Sequence, residues 1–178
     1  MLNKVVFRAL LPALLLSVFV FQGISSEATA GGASIPSAIN LQHDGFAARQ
    51  QGIPILLEFS MHGCPFCEEV EAEVLEPMLK NGSKADKVIV RRVMIDEDTE
   101  ITGFDGEKIS YDDLASEYGV YVTPTLVLVN GDGKATGLEM VGVTTIDYYE
   151  AYLFQAIDAA LKQISLAIEN ASAGSPAS

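Results

Sequence analysis

The chain has 178 residues, 49% of them hydrophobic, a formal charge of −13 and only two cysteines. That apolar content suffices for one ordinary domain with its own core and argues against a disordered polymer. The acidic balance excludes a phosphate-gripping surface and repels both nucleic acid and anionic membranes.

Residues 1–30 read as a secretory signal peptide. Lys4 and Arg8 precede an apolar run from Ala9 to Phe21, and Ala28-Thr29-Ala30 supplies the small residues before a cut expected after Ala30. A membrane anchor is the competing reading, but the run falls short of the about 20 residues that a spanning helix needs and is interrupted by Pro12 and Ser17. No cysteine follows it to carry a lipid. The expected location is therefore periplasmic or otherwise exported, with no membrane span in the mature form. Cleavage removes Lys4 and Arg8 from the 11 basic residues and Glu27 from the 24 acidic ones, leaving 9 against 23 and a formal charge of −14.

Residues 31–37 are small and polar and are expected to be flexible. Ser37 or Asn40 can cap a helix through about Gln51, with Ile39, Leu41, Phe46 and Ala47 on its apolar side and Gly52 ending it. Ile53 to Phe59 is a short continuous apolar run, the pattern of a strand buried on both faces, and Glu58 is the anomaly inside it. After Ser60-Met61-His62-Gly63 the period becomes helical: Phe66, Val70, Val74 and Met78 form the buried stripe, with Glu68, Glu69, Glu71, Glu73 and Glu76 opposite. Pro65 suits the first helical position, whereas Pro77 is expected to kink or shorten the last turns.

Val88 to Ile95 is the second strand, followed by a polar stretch from Asp96 to Glu107. A short helix near Ser110 to Tyr118 is opened by Ser110 and Asp113 as a capping pair. Thr123-Pro124 leads directly into a third strand, Thr125 to Val129, and Asn130-Gly131-Asp132-Gly133 signals a hairpin turn into Ala135 to Val141. From Thr144 a final helix keeps Tyr149, Leu153, Ile157, Leu161 and Ile164 in register to about Ile168. One domain, residues 38–168, is expected, with 169–178 as a disordered tail.

Cys64-Pro65-Phe66-Cys67 holds the only cysteines. At a helix start this spacing suits a dithiol that closes and reopens, with the first cysteine exposed for attack and the second one turn inward. Outside the reducing cytosol the same pair could be a static disulfide or a metal clip. A structural zinc site wants four ligands and an exported copper site a nearby His or Met, and here only Met61, His62 and the distant His43 are available. Residue 68 is Glu68 rather than His, which excludes covalent haem attachment. Glu58, unpaired within an apolar strand, should have a raised pKa, unless it points to solvent from the strand end.

This order of elements, with Cys64-Pro65-Phe66-Cys67 and Thr123-Pro124 at its specific points, resembles the thioredoxin superfamily over roughly residues 38–168. Within it the chain is similar to exported single-domain thioredoxin-like proteins of the SoxW type, on Gly63-Cys64-Pro65-Phe66-Cys67, an insertion over 96–113, and Tyr118-Gly119-Val120 leading to Thr123-Pro124-Thr125. The resemblance implies an α/β thioredoxin fold: a central mixed sheet of about four strands flanked by helices, with the insertion before the cis-proline strand. It implies an exported thiol–disulfide oxidoreductase acting on cysteine-containing protein substrates, replenished by an unidentified electron donor, without a cofactor and as a monomer. Cys64 is then the nucleophile, Cys67 the resolving thiol and Glu58, six residues before Cys64, the general base. Thr123 pairs its backbone with substrate, Pro124 obstructs metal capture, and Pro65 and Phe66 tune the potential, with His62 bordering the substrate. No His lies between the cysteines and acids follow them, which favours a reductase. An oxidase or isomerase is the alternative within this chemistry; a copper-binding chaperone or a redox-inert adaptor is the alternative outside it.

Overall fold

The computed structural model describes residues 34–82, 84–137 and 139–173. The signal peptide, its cut after Ala30 and residues 174–178 lie outside the described residues. Asn40 opens α1 (Leu41–Gln51) by accepting the His43 N–H at 2.9 Å, and Gly52 closes it at φ 66°, a conformation that costs a side chain. β1 (Ile55–Ser60) is buried along its whole length, as its continuous apolar run requires.

The helical segment after the cysteines has three parts: α2 (Pro65–Val70), a wide π turn (Glu71–Leu75) and α3 (Glu76–Asn81). Pro77 does not break it. A proline removes one N–H from the ladder, and the chain absorbs the defect in the turn before, where the Glu76 N–H reaches back five residues to the Glu71 carbonyl.

β2 (Ile89–Met94) runs parallel to β1, β5 (Thr125–Val129) runs antiparallel to it, and β6 (Met140–Val141) closes the sheet order β2-β1-β5-β6. The sheet divides the core by strand alternation. On one face Leu56, Val90, Leu126 and Leu128 pack against Val70, Val74 and Met78, and against Tyr149, Leu153 and Ile157 of α5 (Ile146–Ala173). On the other, Ile55, Leu57, Phe59, Val127 and Val129 pack against α1 and against Leu114 and Ala115 of α4 (Tyr111–Glu117). Full burial of each such side chain contributes about 1.5–3 kcal/mol. Cys64 is thereby held at the C-terminal end of β1, where the chain leaves the sheet for α2.

Several expectations are corrected. Ile39 and Phe46 are exposed; α1 buries Leu41 as expected, but with it Asp44, Gly45 and Ala48, and Arg91 takes Asp44 in a two-pronged ion pair. Phe66 is exposed too, being one residue off the buried stripe of Cys67, Val70, Val74 and Met78. β3 (Glu100–Thr102), within the stretch read as polar, pairs with β4 (Lys108–Ser110), just beyond it, in a separate hairpin that buries Ile101 opposite Ile109. The strand expected over 135–141 is interrupted: Ala135 meets Val129 in a single bridge, and pairing resumes only at Met140. α5 continues five residues beyond Ile168, with residues 165–173 all exposed. Ahead of α1, Ile35 is buried and residues 36–38 dock on the outer edge of β2, where Pro36 accepts the Arg92 N–H and Ala38 donates to the Arg92 carbonyl, each at 2.8 Å.

Candidate active site around Cys64 and Cys67

Cys64 is the N-cap of α2 and Pro65 the first helical residue, a position where a missing N–H loses nothing. The cap's side-chain acceptor is sulfur: Cys64 Sγ receives the Cys67 N–H at 3.2 Å. The two cysteines are joined by a disulfide with an S–S distance of 2.08 Å. Cys64 keeps a 9% sliver of exposure whereas Cys67 has 1%, so an approaching sulfur meets Cys64 first.

The Thr123–Pro124 peptide bond is cis. It brings the loop before β5 over the cysteines, with the Thr123 hydroxyl directed at Cys64 Sγ from 3.6 Å. Thr125 turns its own hydroxyl back to the Val122 carbonyl at 2.7 Å, and the Gly142 N–H holds the Pro124 carbonyl at 2.7 Å. The loop is thus pinned on both sides. Large apolar side chains stand unburied on the residues that adjoin these two segments: Met61 and Phe66 beside the cysteines, Tyr121 and Val122 beside Thr123. A cleft of about 270 Å³ lined by Val141, Thr144, Tyr148 and Tyr152 continues from Gly142, the residue bonded to Pro124. A larger cleft, about 860 Å³, lies between the β3–β4 hairpin, α4 and Asp132-Gly133, and holds neither cysteine.

His62 is exposed and tied away from the cysteines. Its N–H donates to Asp96 at 3.0 Å, its Nδ1 lies 3.0 Å from the same carboxylate, and its Nε2 is 3.5 Å from Glu97. These bonds hold the Asp96 carboxyl below its ordinary value, against partial desolvation.

Glu58 is fully buried, so the alternative of a solvent-facing strand end is removed. It shares the face of β1 with Leu56, which packs on the Cys67 helix and α5. Opposite Glu58 in the parallel register stands Arg92, whose Nε lies 3.5 Å from Glu58 Oε2. That distance gives charge attraction but no hydrogen bond, and both Glu58 oxygens and Arg92 Nε lack a hydrogen-bond partner. Arg92 donates instead to Glu71 on the π turn. Burial pushes the Glu58 carboxyl up to about 8, helped by repulsion from Glu71 and only partly opposed by Arg92. Tyr149 of α5 also feels the Glu58 charge, and its buried, unpartnered hydroxyl is pushed up to about 12, chiefly by desolvation.

Motif reading found Cys64, Cys67, Thr123, Pro124 and Glu58, and the fold brings the two cysteines and Thr123 into contact. It missed Arg92, Glu71 and Tyr149. One signal was present: Arg91-Arg92 interrupts an apolar strand just as Glu58 does, and buried charges come in pairs.

Reduction of this disulfide leaves two thiols at a surface where a second disulfide can meet one of them, the working arrangement of a thiol–disulfide oxidoreductase. The chain belongs to the thioredoxin-like domain family, whose model matches residues 41–157. Among solved structures it is similar in fold to a DsbH oxidoreductase at 17% identity and a TM-score of 0.54, with 74% of this chain and 88% of that one covered. Thioredoxin O2 from Arabidopsis thaliana matches at 20% identity and a TM-score of 0.46, covering 70% of this chain and 96% of its own. Periplasmic thioredoxin SoxS from Paracoccus pantotrophus matches at 22% and 0.42, covering 60% and 98%. No curated protein matches the chain.

Proposed function

We propose that the protein is an exported reductase of protein disulfides, in which Cys64 attacks, Cys67 resolves and Glu58 accepts the proton that Cys67 gives up. The observation that carries this is the position of Cys64 Sγ, at a helix cap, slightly exposed and facing the Thr123 hydroxyl across 3.6 Å. The Cys67 N–H and the Thr123 hydroxyl are both donors to that sulfur, and donors stabilise thiolate.

The Cys64 thiolate attacks a substrate disulfide, forming a Cys64–substrate disulfide and expelling one substrate thiolate. In the fraction of molecules whose Glu58 is ionised, a fraction that grows as pH approaches about 8, Cys67 passes its proton to the Glu58 carboxylate, attacks Cys64 Sγ and expels the second substrate thiolate. The Cys64–Cys67 bond forms as the substrate bond is lost, and two electrons have moved to the substrate. One product thiolate takes a proton from water in place of the one left on Glu58. The resulting disulfide is reopened by an external dithiol donor.

Substrate would lie extended along Thr123-Pro124, its apolar side chains on Phe66, Tyr121 and Val122 and toward the cleft at Val141 and Tyr148. Pro65 sets the cap angle and Phe66 offers contact area, while His62 anchors the preceding loop through Asp96. Glu68 in the first turn of α2 opposes a very stable thiolate, which supports the reducing direction. The signal-like N-terminus supports export.

Cys64→Ser should abolish reduction of a disulfide substrate and Cys67→Ser should accumulate a mixed disulfide on Cys64. Full activity of the Cys64→Ser protein would overturn the assignment. The potential of the pair decides direction: a value near about −270 mV is expected, and one near about −120 mV would make the protein an oxidant.

A further inference from the structure

Two strands and one helix together contribute four buried polar atoms. Glu58 Oε1 and Oε2 come from β1, Arg92 Nε from β2 and the Tyr149 hydroxyl from α5, and none of them has a hydrogen-bond partner. Glu71 from the π turn faces the same cluster. It accepts a hydrogen bond from the terminal nitrogen of Arg92, and its charge repels that of Glu58. Arg92 is thereby shared between two carboxyls, with its hydrogen bond on Glu71 and only its field on Glu58.

The exposures are graded along this set. Glu58 has no solvent access, whereas the side chains of Glu71 and Arg92 are 17% and 22% exposed. A proton that arrives on Glu58 while substrate covers Cys64 has no direct way to water. Glu71, on the other side of the same Arg92, is the neighbouring carboxyl that reaches solvent. Two carboxyls around one guanidinium repel each other, and a proton on Glu58 relieves that repulsion.

We propose that Glu71, clamped by Arg92, is a positioning residue that shares the Glu58 proton and carries it outward from the buried side of the active site. This rests on Glu58 being the acceptor of the Cys67 proton. In the sequence of steps, Cys67 thiol becomes thiolate as Glu58 carboxylate becomes carboxylic acid; Glu58 then returns to carboxylate as Glu71 takes the proton and releases it to water. No electrons move in this relay, and its net effect is one proton from Cys67 to solvent. Glu71 is the first residue of the π turn and is half-buried against Arg92, whereas Glu68 and Glu73 on the same helical segment are exposed. Tyr149, whose hydroxyl feels the Glu58 charge, stays protonated across the working range.

The test uses the mature chain in its reduced form. Difference infrared spectroscopy identifies the Glu58 carboxyl band as the one absent from Glu58→Gln. In Glu71→Gln, which keeps the size of the side chain and its acceptor for Arg92, removal of the neighbouring charge should lower the Glu58 midpoint by about one pH unit or more. Resolution of a preformed Cys64 mixed disulfide, followed by stopped flow, should slow severalfold in Glu71→Ala, and added acetate should restore it by occupying the vacated place beside Arg92. An unshifted Glu58 midpoint in Glu71→Gln, or a Glu71→Ala rate that acetate leaves unchanged, would overturn the inference. The underlying reading is checked separately: if Glu58→Gln resolves at the wild-type rate with the wild-type pH profile, Glu58 is not the acceptor. If Glu58→Gln is slow and Glu71→Gln is unshifted, Glu58 keeps its role and Glu71 alone loses its own.

Discussion

Arg91 and Arg92 are adjacent in β2, so their side chains leave the sheet on opposite faces. Arg91 meets Asp44 of α1 with two bonds, 2.8 and 2.6 Å long, and Asp44 is 5% exposed. Asp44→Ala would leave a guanidinium largely buried without its anion, and should cost about 3 kcal/mol, read as a lowered urea midpoint at unchanged slope. Arg92 faces Glu58, and the consequence there is pH dependence. The folded chain holds a proton on Glu58 up to about pH 8, whereas the unfolded chain releases it near the ordinary value of 4.5. Between those values the native state binds more protons, so its stability falls as pH rises. The contribution is complete below the unfolded value and lost as pH passes through the folded one. Glu58→Gln should flatten the decline, so that the variant gains on the wild type in urea unfolding at about pH 9 relative to about pH 5.

At the scale of elements, the long apolar runs and the helix caps were the legible parts. β1, β2 and β5 show as continuous or near-continuous hydrophobic stretches because a sheet covered on both faces leaves no polar alternation to confuse them. Ser110 accepts the Asp113 N–H at 3.0 Å as its spacing suggested. The β3–β4 hairpin was not legible, since each strand has three residues and a single isoleucine gives no period. The π turn has no residue pattern of its own. Glu71 was read as one more acid on a solvated face, because only the tertiary position of Arg92 distinguishes it from Glu68 or Glu73. In the site, motif spacing revealed the cysteines and Thr123-Pro124, and burial of Glu58 followed from its apolar strand; its partners depended on register. Gly131 carries a related lesson. It was read as a turn residue, but its constraint is contact: a Cβ there would fall 2.6 Å from the Gly45 carbonyl oxygen and 2.5 Å from Arg49 Cγ. Gly131→Ala should therefore destabilise by about 1–3 kcal/mol, as crowding at α1 rather than as loss of a turn, and thermal unfolding measures it.

For the whole molecule, a formal charge of −13 on a 178-residue chain sets a field that acts before any contact forms. Reduction of a lysine-rich disulfide peptide should slow as salt rises, because screening weakens its attraction, while an aspartate-rich peptide of equal length should react faster with salt. Initial rates at low and physiological ionic strength decide this; equal salt responses would show that the charge does not reach the active-site surface. No helix among the described residues is long and apolar enough to cross a membrane.

Residues 36–38 lie along β2 through the Arg92 main chain, and the Tyr111 hydroxyl fastens Ala38 by its carbonyl at 2.7 Å. They act as the selvedge of the sheet. A strand left raw at its margin offers its N–H and C=O groups to any other extended chain, including another copy of itself. Trimming the protein back through Ala38 would therefore change its colloidal behaviour before its chemistry, turning a guarded border into a seam along which molecules can be stitched together.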